Sequence, residues 1–145
     1  MQNRKSNTVP KLNALLETAL YVENLERSAA FYKTIFEFEP ISTSERLCAL
    51  NISNRFVLLL FLKGASTAAT VASGGIIPPT DGDGNLHLAF AIAASELENW
   101  ENWLIEKDIE IESKVKWERG GTSIYFRDPD KHLLELATPG LWSIY

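Results

Sequence analysis

The chain has 145 residues, 46% of them apolar and 23% charged, and a formal charge of −5. That length suits one domain able to bury about 70% of its unfolded surface, and the composition excludes a largely disordered chain or a coiled coil. Fourteen Lys and Arg stand against nineteen Asp and Glu with no basic stripe, which excludes the electrostatic footprint of a nucleic-acid binder. No apolar run approaches the length of a membrane span, and the single cysteine, Cys48, permits no intrachain disulfide, as expected of a cytoplasmic protein.

Residues 1–10 are polar and read as a mobile arm. Ala14–Val22 alternates as a strand: Leu16, Leu20 and Val22 take one face, while Leu15, Glu17, Ala19 and Tyr21 take the other. Asn24 is placed to cap a helix over Leu25–Ile35, and Pro40 prevents its continuation. Strands are predicted over Glu39–Ser44, Leu47–Ile52 and Phe56–Leu62. Lys63–Gly84 holds five of the eight glycines with Pro78 and Pro79, and reads as a flexible linker or lid.

The pattern then restarts. In Asn85–Ala93, Leu86, Leu88, Phe90 and Ile92 share one face, and His87, Ala89 and Ala91 the other. Ser95 and Glu98 form a capping box for a helix reaching about Lys107, with Leu97, Trp100 and Leu104 as its buried stripe. Strands are predicted over Ile109–Trp117, Thr122–Arg127 and His132–Ala137. The order strand, helix, three strands therefore occurs twice, with Glu17 and His87 at matching places 70 residues apart. The expected organisation is a module over 11–62, the linker 63–84, a module over 85–138 and a tail over 139–145.

In both opening strands an ionisable residue shares its face with small residues, and in the last strand Glu135 lies between Leu133 and Ala137 on the face opposite Leu134 and Leu136. Small neighbours leave volume beside a polar group, as a ligand pocket requires. A carboxylate inside an apolar strand is costly unless it is paired or bound to a cation. Two carboxylates and an imidazole (Glu17, His87 and Glu135) can bind one divalent ion and leave positions open for substrate. Each has an ordinary alternative, since a lone strand Glu commonly faces water and a lone strand His is commonly hydrogen-bonded. Tyr125 and Arg127 alternate with Ile124 and Phe126 and so are placed to line a cup, where Arg127 would bind a substrate anion or else form a surface salt bridge. Trp117 and Trp142 are either pocket walls or packing residues, and Trp100 and Trp103 read as helix packing. His132, in the DPDKH turn, reads as a solvated turn residue. Asp81, Asp83 and Asn85 resemble the start of a calcium loop, which then fails at Leu86 and Ile92.

These segments resemble the vicinal oxygen chelate superfamily of glyoxalases, bleomycin-resistance proteins and extradiol dioxygenases. LETALYVENLERSAAFY (16–32) is similar to its first strand and helix, NLHLAFAI (85–92) to its second ligand strand, and YFRDPDKHLLELATPGLW (125–142) to its closing segment. The resemblance implies an α+β fold in which two βαβββ modules form a cup of curved mixed sheet around a metal. It implies Glu17, His87 and Glu135 as the ligands of one divalent ion (Mn, Mg, Zn, Ni or Fe). One His and two Glu form a harder set than two His and one Glu, which favours Mn²⁺, Mg²⁺ or Zn²⁺. The fourth ligand of glyoxalase I falls near Leu60 by repeat matching, and leucine cannot ligate. The expected function is a metal-dependent enzyme that chelates neighbouring oxygens of a small organic substrate, with lyase, isomerase, transferase and dioxygenase chemistry all open. Glu17 or Glu135 would also shuttle a proton. The alternative is a non-catalytic, drug-sequestering protein like those of bleomycin resistance, and a third reading is a module with a vestigial cup. A homodimer is expected, with Glu17 completing the partner's site if modules pair between chains.

Overall fold

The computed structural model describes residues 8–145, so residues 1–7 of the expected arm lie outside the described residues, while Thr8, Val9 and Pro10 are exposed. The elements are β1 (Glu17–Val22), α1 (Leu25–Phe36), β2 (Pro40–Thr43), β3 (Leu47–Ile52), β4 (Phe56–Leu62), β5 (Thr70–Ala72), β6 (Gly75–Ile77), β7 (His87–Ala91), a short 3-10 turn (Ala94–Glu96), α2 (Leu97–Glu106), β8 (Ser113–Lys116), β9 (Thr122–Arg127) and β10 (Leu133–Ala137). They form two four-stranded sheets of like topology, β1-β4-β3-β2 and β7-β10-β9-β8. In each, the opening strand runs parallel to the last strand of its module, and the remaining pairs are antiparallel. This is the doubled βαβββ unit expected from the repeat.

Two-residue alternation decides what each sheet face does. Leu20 and Val22 of β1 lie with Leu58 and Leu60 of β4, all at 2% exposure or less. Ile124, Phe126, Leu134 and Leu136 do the same in the second sheet and are fully buried. Both sets join Tyr32 and Ile35 of α1 and Leu104 of α2 in one core, so neither module buries its apolar face alone. Phe36 sits at the seam, its ring 4.9 Å from Phe90, 5.5 Å from Trp100 and 6.1 Å from Phe126.

Asn24 caps α1 as expected, accepting from the Arg27 N–H at 2.9 Å. The capping box of α2 does not form. A 3-10 turn takes residues 94–96, the helix begins at Leu97, and Glu96 stands at its N-cap, its side chain accepting from the Asn99 amide rather than from a backbone N–H. The first strand begins at Glu17 rather than Ala14, and Leu16, expected to be buried, is 66% exposed. The expected linker contains a β5-β6 hairpin, and at Gly82 it folds back so closely that a Cβ would collide with the Tyr21 ring.

The turn 128–132 ties the modules together. Asp128, 2% exposed, accepts from the Tyr32 hydroxyl at 2.8 Å and from the N–H groups of Asp130 and His132. Asp130 receives the Glu23 N–H, the Ser28 hydroxyl and the Arg27 guanidinium from the start of α1. His132 is not solvated as the sequence suggested, being 1% exposed. Its Nδ1 accepts from the Leu86 N–H at 2.9 Å, so its Nε2 carries the proton and donates to the Tyr21 carbonyl at 2.8 Å. A neutral imidazole of one tautomer thus joins the end of β1 to the segment leading into β7.

His132→Ala orphans the Leu86 N–H and the Tyr21 carbonyl and leaves a void, so it should cost about 2–4 kcal/mol in denaturant unfolding. Tyr32 adds a pH dependence. Burial first, then the Asp128 charge and hydrogen bond, push its phenol well above the usual 10.0. Above about pH 10 an unfolded tyrosine ionises while Tyr32 keeps its proton, so the native state binds more protons and stability falls as pH rises. Urea midpoints between pH 9 and pH 11 should reveal that decline, approaching about 1.4 kcal/mol per pH unit, and Tyr32→Phe should remove this component.

Candidate metal centre

The second sheet presents a polar face to the concave side. Glu135 in β10 lies directly opposite Tyr125 of β9 on one flank and Ala89 of β7 on the other. Ser123 and His87 are its diagonal neighbours, within reach of a glutamate side chain. Glu135 is 5% exposed and its two oxygens have separate partners. Oε1 accepts from the Ser123 hydroxyl at 2.5 Å and the Tyr125 hydroxyl at 3.2 Å, while Oε2 lies 3.1 Å from His87 Nε2. The side chain of His87 is half exposed. Ala89 and Ala91 beside it are small and exposed, which leaves the open volume their size implied.

The protonation of His87 is constrained from its other side. Nδ1 lies 2.9 Å from the Leu133 carbonyl, which can only accept, so Nδ1 carries a proton. In the neutral imidazole Nε2 is therefore a lone pair, and it faces a carboxylate oxygen. Such a contact is satisfied either by a second proton, on Nε2, or by a cation held between the two atoms. Metal–ligand bonds of about 2 Å at roughly right angles place two ligand atoms about 3 Å apart, so the spacing is that of neighbouring ligands on one ion. A ligating histidine whose second nitrogen donates to a carbonyl is also the usual arrangement. The donor pair fits a divalent metal.

Glu17 does not join this pair within one chain: among the described residues no group of three His, Cys, Asp or Glu converges on a metal position. Glu17 is exposed at the start of β1 and lines a cavity of about 710 Å³ with Phe36, Phe38, Phe90 and Trp100, to which neither His87 nor Glu135 contributes. The structure therefore brings together two of the three expected ligands. Register also corrects the fourth-ligand position. Glu17 pairs with Val57 as His87 pairs with Leu133, so Leu59 rather than Leu60 corresponds to Glu135. Leu60 faces the core, and neither leucine can ligate.

Tyr125 stands at the centre, and burial, followed by the Glu135 charge, raises its phenol above the ordinary value, so it stays a protonated donor at neutral pH. Trp117 is 36% exposed and its indole N–H donates to Ser123 Oγ at 2.8 Å. Arg127 lies on the same face but is engaged by Glu112 at 2.8 and 3.1 Å and by the Lys131 carbonyl at 3.1 Å. Of the tryptophans read as packing residues, Trp103 donates to the Ile35 carbonyl and Trp100 packs on Phe36. Sequence reasoning missed Ser123. The alternation that selected Tyr125 and Arg127 extends two residues back to it, but a serine in a strand carries no distinguishing signal.

Comparison with known proteins identifies the family. The model of the Glyoxalase/Bleomycin resistance protein/Dioxygenase superfamily matches residues 14–136. The chain belongs to that superfamily. Among curated proteins, metallothiol transferase FosB of Staphylococcus haemolyticus is 31% identical over 83% of this chain and 79% of its own. Among solved structures, lactoylglutathione lyase from Agrobacterium tumefaciens superposes with a TM-score of 0.83 at 29% identity, over 92% of this chain and 99% of its own. The fosfomycin resistance protein FosX from Listeria monocytogenes shares the fold, with a TM-score of 0.66 at 23% identity over 90% of this chain and 97% of its own. The superfamily's α+β fold of paired modules is thus the fold of this chain, and its relatives include enzymes named for metal and thiol chemistry.

The protonation of the His87–Glu135 contact has a direct test. Glu135→Gln can turn an amide N–H toward the His87 lone pair while its carbonyl oxygen keeps the Ser123 and Tyr125 bonds. Metal-free Glu135→Gln should therefore be more stable than the parent by about 1 kcal/mol at pH 8.5, a rise of about 2–4 °C in Tm. A fall in Tm would mean that the parent pair is already satisfied.

Proposed function

We propose that this protein is a divalent-metal-dependent transferase that joins a small thiol to an oxygen-bearing electrophile, and that it works as a homodimer. The observation that carries the reading is the His87–Glu135 contact, 3.1 Å between Nε2 and Oε2, with no Lys or Arg at the carboxylate among the described residues. Similarity to metallothiol transferases over most of the chain supports the reaction class. His87 Nε2 and Glu135 Oε2 would hold the ion, and Glu17 of a second copy would complete the set. A divalent ion there supplies Lewis acidity to a substrate oxygen.

The residues of this chain then divide the remaining work. Ala89 and Ala91 leave room for the substrate beside His87, and Trp117 walls the other flank of the cup. Tyr125, kept protonated, offers a hydrogen bond to an oxygen gaining negative charge. With a cyclic ether such as an epoxide, an S–C bond forms as one ring C–O bond breaks, and the oxygen, still held by its other carbon, takes the thiol proton, so the adduct has the summed mass of thiol and electrophile. Arg127, committed to Glu112, would reach a substrate anion only by exchanging that partner.

Dimerisation is supported by what one chain leaves uncovered. Val57, Leu59 and Phe61 share the face of Glu17 and are only half buried, and Glu17 lacks the two ligands it would need. A second reading rests on a different property of the same pair: a doubly protonated His87 would form an ion pair with Glu135 and need no metal. That reading favours non-catalytic binding of small molecules in the cup.

Metal analysis separates the two readings. The metal-dependent reading expects about one Mn²⁺, Mg²⁺ or Zn²⁺ per chain, loss of Mn²⁺ binding by at least about 100-fold in His87→Ala and Glu135→Ala, and an adduct of summed mass from glutathione or cysteine with fosfomycin as the probe. Light scattering should give twice the chain mass. Mixing Glu17→Ala with Glu135→Ala should regenerate one intact site per heterodimer, recovering the tight metal binding that neither variant has alone. Metal-free protein with a Tm indifferent to chelator would leave only the binding reading.

A further inference from the structure

We propose that Ser123, set by the Trp117 indole, is a positioning residue that makes Glu135 a one-oxygen ligand by occupying Oε1 and leaving Oε2 for the ion. The inference rests on the metal-dependent reading and deepens it by assigning the supporting residues of the carboxylate ligand.

The direction of each hydrogen bond is forced. An indole N–H only donates, so at 2.8 Å the Ser123 oxygen accepts from Trp117. The single Ser123 proton is then free to point the other way, toward Glu135 Oε1 at 2.5 Å. Tyr125 donates to the same oxygen at 3.2 Å. Oε1 thus takes two hydroxyl donors, while Oε2 has none and faces His87 Nε2 at 3.1 Å. Ser123 is fully buried, so no water replaces its hydroxyl without a rearrangement. Register explains why the chain meets here: Val115 of β8 pairs with Ser123, and Trp117 follows two residues later on the same face.

Two consequences follow. A carboxylate held at one oxygen presents the other in a fixed direction, which reduces what must be ordered when the ion arrives. Single-oxygen ligation also leaves more of the ion's positions for substrate than two-oxygen ligation does.

The test measures Mn²⁺ affinity of the full-length protein by isothermal titration, alongside Tm in chelator. Ser123→Ala should weaken Mn²⁺ binding about 10–100-fold, the range typical for loss of a partner behind a ligand. Trp117→Phe, at a partly exposed position that tolerates change, should weaken it several-fold. The double variant should be no weaker than Ser123→Ala, because the indole acts through the serine. Independent, multiplying effects, or Ser123→Ala binding within two-fold of the parent whatever its Tm, would overturn the proposal. A parent protein that binds no Mn²⁺ would overturn it together with the metal reading. Binding by the parent, abolished in Glu135→Ala but unchanged in Ser123→Ala, would overturn the positioning role alone.

Discussion

A nearly buried carboxylate with no lysine or arginine beside it, among the described residues, is the constraint around which the second sheet is arranged. Glu135 meets two hydroxyls and one imidazole, and among the described residues no Lys or Arg pairs with it. Arg127, the cation nearest in sequence on the same face, is turned to Glu112. Neutral donors lower the cost of burying a charge but do not neutralise it. The strand around Glu135 is otherwise apolar, and Leu134 and Leu136 are fully buried on its opposite face. Stability alone would favour an apolar residue here, and under the proposed function a bound cation would supply the charge that the hydroxyls do not.

The rest of the fold holds that strand in place. Parallel pairing of β10 with β7 sets His87 diagonally across from Glu135, and antiparallel pairing with β9 sets Tyr125 and Ser123 on the other flank. Parallel pairing requires a crossover, which α2 and the strands after it supply. The turn before β10 anchors the sheet to the first module through Asp128, Asp130 and His132. His132 immediately precedes Leu133, whose carbonyl receives His87 Nδ1, and its own ring receives the N–H of Leu86, next to His87. Support for the imidazole is thus continuous with the contact between modules.

The faces of the sheets were legible because two-residue alternation survives folding: Leu20, Val22, Leu134 and Leu136 are buried as their periodicity predicts, and Glu135 and His87 share one face. The Asn24 cap was legible because it depends on residues 24–27 alone. What escaped depends on partners distant in sequence. His132 looks like a turn residue until Tyr21, 111 positions away, closes over it. Ser123 gains its role from Trp117 and Glu135 together. Ser95 and Glu98 carry the letters of a capping box, but a 3-10 turn takes up the residues that would form it. Repeat matching placed Leu60 where strand register places Leu59, because an error of one residue reverses the face of a strand. The hairpin 70–77 was obscured by glycines and prolines on either side of two very short strands.

The separation of Glu17 from the pair has a thermodynamic consequence under the proposed assembly. The seam between modules fixes β1 relative to β7 within a chain, with His132 bridging Tyr21 and Leu86. Bringing Glu17 to its own chain's His87 would require breaking a seam that contains fully buried residues from both sheets. In the proposed dimer a second copy would supply the third ligand without that cost. Each ion would then contact both copies, which would link metal binding to association: the ion would favour the dimer, and dilution would weaken the ion's hold. A monomer retains His87 and Glu135 as a two-ligand half-site, which leaves most of an ion's coordination to water. Under that proposal, assembly would decide whether the cup holds a loosely bound cation or a three-ligand centre with positions left for substrate.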